Sequence, residues 1–175
     1  MLAERELLRL LIDISNLTLA NLDYPHFLSA LSAAIQPVVR HERISLAIYD
    51  RRTRELRVPM MYVAGRGLTA ADVSLPLDRS PEGVTLRHGF SRVFGRVELE
   101  ELGLSERPAP LELEQVCCVP LPTGRGPLGV LSVTSGDICA FPAARVELLV
   151  QASASIAAAM RGIQRPGRTM HRKST

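Results

Sequence analysis

The 175-residue chain is 46% hydrophobic and 22% charged, proportions that exclude a disordered chain and suit one domain with a single sizeable core. Its formal net charge is +3, but the excess is carried by the end of the chain, where Arg161, Arg165, Arg168, Arg172 and Lys173 have no acidic neighbour. No apolar run approaches the roughly 20 residues of a membrane span, and Glu4, Arg5, Glu6 and Arg9 interrupt the leucines at the start, so an untargeted cytoplasmic protein without a membrane partner is expected.

Residues 4–20 place Leu7, Leu10, Leu11, Ile14 and Leu17 on one helical stripe and Leu8, Ile12 and Leu19 on a neighbouring one. This apolar surface is wider than one packing face needs; it fits a broad core helix or a helix that packs on its own domain and on a second copy. Asp23 is a cap for a second helix, with Pro25 in its first turn, Phe27, Leu28, Leu31, Ile35 and Val38 facing inward and Pro37 ending it near Gln36. Ile44 to Asp50 alternates as a strand, with Ile44, Leu46 and Ile48 on one face and Ser45, Ala47 and Tyr49 on the other. A second strand covers Leu56 to Ala64, restricted by Pro59 to an edge or a bulge. Gly65 and Gly67 break it, and Val73 to Asp78 reads as a short third strand. Ser80, Pro81 and Glu82 open a short helix towards Gly89, Ser91 to Gly95 is a fourth strand, and the acidic stretch from Val97 to Glu114 is a loop with one helical turn.

The strongest pattern is Val116 to Ile163. Val116 to Leu121 (VCCVPL) and Leu128 to Ser135 are apolar runs joined by the glycine turn TGRG, and Phe141, Pro142 and Ala143 lead into a long Ala-rich helix. Within it Val146, Leu149, Val150, Ser153, Ala157, Met160 and Gln164 recur at helical spacing. In order and spacing, VCCVPL, GVLSV and ELLVQASASIAAAM resemble the last third of a GAF domain, and the helix-helix-strand-turn-strand start extends the resemblance over about residues 5–163. In texture it is most similar to the N-terminal sensory GAF domains of bacterial enhancer-dependent transcriptional activators, the formate-responsive ones included.

The resemblance implies an α+β fold: a GAF-like antiparallel sheet of five to six strands, with the N- and C-terminal helices on one face and the short helix and loops over the other. It places residues 1–163 in the domain and leaves 164–175 as a basic flexible tail. It also implies non-covalent binding of a small molecule, of unknown identity, on the face opposite the terminal helices. There Ser45, Ala47, Tyr49, Ser132 and Thr134 combine small side chains with hydroxyls, Arg87 and His88 offer positive charge at the rim, and Tyr62 offers a hydroxyl or a stacking face. Signals would leave through the terminal helices, in transcriptional control. A ligand-free dimerisation module is the alternative, through Leu8 and Ile12 and the small-residue face of Ala152, Ser155 and Ala159; that face fits a close intramolecular contact equally well.

Other chemistries lack their residues. The three cysteines include adjacent Cys117 and Cys118, whose side chains point to opposite faces of a strand, and neither a disulfide framework nor zinc-ligand spacing is present. A GAF-fold free methionine sulfoxide reductase would place cysteines on the short helix and in the loop before VPL, where this chain has EGVTLRHG and RPAPLELEQ. The motif of cyclic-nucleotide-binding relatives and the Cys-His pair of bilin-attaching ones are missing, and His88 as a haem ligand competes with a simpler role at a helix end. No enzyme, metal or cofactor is expected, and the basic tail lacks the aromatic interleaving of a nucleic-acid binder.

Overall fold

The structure, a computed structural model, describes residues 2–104 and 115–164. The expected tail beyond Gln164 and most of the acidic loop therefore lie outside the described residues. Six strands form one antiparallel sheet in the order β3-β2-β1-β6-β5-β4. In chain order the elements are α1 (Leu2–Leu19), α2 (Tyr24–Ile35), β1 (Arg43–Asp50), β2 (Glu55–Val63), β3 (Gly67–Leu75), α3 (Pro81–His88), β4 (Arg92–Gly95), α4 (Arg96–Glu101), β5 (Gln115–Leu121), β6 (Gly129–Ser135) and α5 (Ala143–Gln164).

Local chemistry sets the helix ends. The Asp23 carboxylate accepts the His26 N–H and caps α2, while the Ser80 hydroxyl accepts the Gly83 N–H and caps α3, each with a proline in the first turn. Gly89 ends α3 in the left-handed region at φ 79°. Gly83 matters for another reason: a Cβ there would lie 2.6 Å from the Leu77 backbone, so only glycine lets α3 sit against the segment that precedes it.

The two faces of the sheet are covered separately. On one side α1, α2 and α5 pack Leu10, Ile14, Phe27, Leu28, Leu31, Ile35, Leu149, Ala152, Ile156 and Met160 against Ile44, Leu46, Cys117, Val119, Leu131 and Val133. On the other side α3 and α4 cover Ala47, Leu56, Val58, Val116, Cys118 and Val130 with Leu86 and Leu99. The α+β architecture, with its terminal helices on one face and a short helix over the other, is the expected one.

Three expectations are corrected. The third strand begins at Gly67 rather than Val73, because residues 67–74 form an exposed edge strand paired with β2 and carry no buried-exposed alternation to reveal them. Ala152 and Ala159 are buried in the chain's own core where α5 packs against α1, and Ser155 is half-buried, so the small-residue face is used inside the molecule. Finally, α5 has the length and hydropathy of a membrane span, contrary to the reading of the sequence; many of its apolar side chains are those packed in the core.

Candidate ligand-binding face

Strand pairing brings small polar side chains together on the face away from the terminal helices. Ser45 of β1 stands opposite Ser132 of β6, and Ser132 stands opposite Cys118 of β5. Residues directly opposite in neighbouring strands share a face, so Ser45, Ser132 and Cys118 form a row across the centre of the sheet. Arg92 of β4 continues it at one end and Met61 of β2 at the other. Thr134 lies in the adjacent row on one side with Val116 and Phe94, and Ala47 in the adjacent row on the other side with Val130. Ser45, Ala47, Ser132 and Thr134 are all buried, and Tyr49 is half-buried against the same cluster.

α3 lies across β5 and β6 above this row. Thr85, on its inner side, is 1% exposed, and its Oγ1 lies outside good hydrogen-bonding geometry with any group among the described residues. The Cys118 thiol donates a long contact of 3.9 Å to the Ser132 Oγ. Burial pushes the Cys118 thiol well up, the nearby Glu82 carboxylate and Cys117 push it further, and the Ser132 and Thr85 hydroxyls oppose the rise. The Thr85 hydroxyl thus acts on the thiol as a weak hydrogen-bond partner that falls outside good geometry. Cys117, on the opposite face, is pushed up by burial to about 12. Both thiols are therefore protonated at neutral pH and lack the thiolate character of a nucleophile; Cys139 is exposed, in the connection before α5.

The remaining expected site residues are dispersed. Arg87 and His88 are exposed at the C-terminal end of α3, where the His88 ring lies 5.9 Å from Phe90. Tyr62 is a correction: it pairs with Ile44 and packs on the terminal-helix side. The cause is a bulge around Pro59, where the four steps of β2 from Arg57 to Met61 face only three steps of β1 from Ile48 to Ser45. One extra residue reverses the face of every side chain beyond it, so Leu56 and Val58 face α3 while Met60 and Tyr62 face the other way.

A shallow cleft of about 90 Å³, not anticipated from the sequence, opens at the β4 edge of this face. It is lined by Val84, Arg92, Phe94, Glu98, Glu101 and Leu102. The Arg92 guanidinium carbon sits 4.9 Å from the centre of the Phe94 ring, and Glu98 accepts the Gly95 N–H at the start of α4. The signal present in the sequence was Arg92 and Phe94 at alternate positions of a short strand, which puts a cation and an aromatic ring on one face.

No family model matches the chain. Among solved structures it is similar to the GAF domain of Acinetobacter phosphoenolpyruvate-protein phosphotransferase, with a TM-score of 0.72 at 16% identity over 94% of this chain and 95% of that one. It is also similar to the free methionine-R-sulfoxide reductase of Neisseria meningitidis in complex with its substrate, with a TM-score of 0.67 at 17% identity over 93% and 90%, and to the nlh2 GAF domain of A. aeolicus, with a TM-score of 0.67 at 11% identity over 91% and 98%. The chain has the GAF fold. Among curated proteins it is 27% identical over 169 residues to the formate hydrogenlyase transcriptional activator of Salmonella typhimurium, covering 90% of this chain and 23% of that protein. The chain thus spans less than a quarter of the length of the relative it matches.

Proposed function

We propose that this protein is a cytoplasmic regulatory domain that binds a small molecule non-covalently beneath α3 and passes the result to α1 and α5, in transcriptional control. The observation that carries the reading is the row of Ser45, Ser132 and Cys118 under the buried hydroxyl of Thr85, whose contact with the Cys118 thiol is at best weak. A poorly satisfied buried hydroxyl is costly, and a ligand that accepts or donates there would recover part of that cost. The same strands carry Leu46, Cys117 and Val133 on the reverse side in the core shared with the helices, and β5 packs on α5, which in turn packs on α1, so a displaced strand has a route to the terminal helices. The likeness to part of a transcriptional activator supports the regulatory setting. The protonated thiols argue against a thiol enzyme, even though a reductase shares the fold.

The test is a thermal-shift screen with small carboxylates, cyclic nucleotides, purines and amino acids. A ligand for the native state raises the melting temperature in a saturable way, and Ser132→Val should remove that shift. A flat screen over a cooperative melt counts against sensing.

A second reading, homodimerisation, has its own observation. Leu8 is 59% exposed, Ile12 58% and Leu19 83%, and they share one stripe on the side of α1 away from Leu10 and Ile14. Size exclusion with light scattering decides it: a dimer that Leu8→Glu converts to monomer supports this interface, and a strict monomer removes it.

A further inference from the structure

One end of the sheet gathers arginines that the proposed sensing face does not use. Asp50 pairs with Glu55, Leu56 with Leu75, and both Ile48 and Leu121 with Gly129. The β1–β2 turn, the exit of β3 and the β5–β6 turn therefore share one pole. Arg51, Arg52, Arg54 and Arg125 stand exposed there, with Arg79 in the neighbouring connection. Among the described residues none of these five makes an ion pair.

The pole is built rather than loose. The Asp50 carboxylate accepts the N–H groups of Arg52, at 2.8 Å, and Thr53, at 3.4 Å. Arg51 donates to the Arg125 carbonyl and ties the two turns into one surface. Gly126, at φ 104°, leaves the space that the Arg51 guanidinium occupies. Arg54 sits at φ 57°, a conformation unfavourable for a side chain with Cβ and usually given to glycine. That conformation belongs to the turn, as the last of its four residues, so the arginine there is not chosen for the backbone.

We propose that this pole docks an acidic segment of a partner protein. Guanidinium groups pair with carboxylates through two parallel hydrogen bonds, and exposed pairs of complementary charge set encounter rate and orientation. Asp50, Glu55 and Asp78 are interspersed with the arginines. That mixed pattern suits a partner with discrete, separated carboxylates and repels a continuous phosphate backbone. The three connections, 50–55, 76–79 and 122–127, contain no aromatic residue to stack on bases.

The experiment uses the full chain and measures fluorescence anisotropy of a labelled peptide whose glutamates are separated by neutral residues, with an unlabelled DNA duplex as competitor. Salt is set at about 50 mM and about 150 mM, since exposed pairs weaken as the screening length shortens. The expected result is salt-sensitive peptide binding that drops at least about tenfold in the R52A/R54A/R125A variant with an unchanged melt. Binding should persist when Arg165, Arg168, Arg172 and Lys173 are changed to serine. Arg54→Gly is a second variant that relieves the backbone conformation, so it should keep or raise the melting temperature while weakening the peptide. The proposal is overturned if the peptide does not bind at low salt, if neither arginine variant weakens it, if the tail changes abolish it, or if the duplex displaces it at lower concentration. None of these outcomes depends on a ligand beneath α3.

Discussion

β1 presents Ile44 and Leu46 to one side of the sheet and Ser45 and Ala47 to the other, and the two sides are finished differently. The terminal-helix side is closed by three helices with large apolar side chains. The α3 side has a smaller apolar cluster around a row of two hydroxyls and a thiol, covered by a helix of eight residues. On the proposed reading, stability and recognition divide between faces of the same strands: volume loss should be felt most on the first, and polar changes should be cheap for folding but decisive for binding on the second.

Phe27→Ala tests the first half of that comparison. Phe27 is fully buried between α2 and the sheet, and its truncation should cost about 3–5 kcal/mol, read from urea unfolding. Gly83→Ala probes the seat of α3. The added methyl meets the Leu77 backbone, so an overpacking cost of about 1–3 kcal/mol is expected, with loss of any ligand-induced thermal shift. An alanine variant as stable as the parent would show that α3 can lift without consequence. Ser132→Ala sharpens the contrast: among the described residues its hydroxyl receives the long Cys118 contact, so the stability loss should be about 1 kcal/mol or less.

pH gives a further separation, confined to the terminal-helix side. His41 is 4% exposed; its Nδ1–H donates to the Val39 carbonyl at 2.7 Å and its Nε2 accepts from the Ser32 hydroxyl at 2.9 Å. Burial lowers its pKa, against smaller opposing effects of the Val39 carbonyl and Glu42. The folded state therefore holds this proton less tightly than the unfolded chain. Its contribution is complete above the ordinary histidine value near 6.5 and is lost as pH falls from there through the folded value. Chemical denaturation across that window should show declining stability, and His41→Gln should flatten the decline. The smallest effect is expected at the half-buried pair of Arg145 and Glu6, 2.7 Å apart between α5 and α1. Glu6→Gln should cost about 0.5 kcal/mol, measured at low salt.

The elements read best from sequence are those whose chemistry is local. Asp23 and Ser80 with their following prolines announced two helices, and the alternation in Ile44 to Asp50 assigned both faces of the central strand. β3 was shortened because its exposed positions give no periodic signal. Tyr62 was misplaced because the bulge at Pro59 is a property of pairing with both neighbours, although the proline itself marked the spot. The same limit hid the cleft beside Arg92, since Val84 and Glu101 meet it only through the packing of α3 and α4 on an edge strand. Ala152 and Ala159 were ambiguous for a related reason: a small side chain permits close approach without saying which helix approaches.

The central partnership of the sheet joins residues 43–50 to residues 129–135. Such sequence-distant pairing slows folding, because a long loop must close before the contact rewards it. During synthesis β1 can form a hairpin with β2, yet its other edge has no partner until β6 has left the ribosome. Until then the polypeptide carries an open strand edge on β1, the arrangement most prone to pairing with a neighbouring nascent chain.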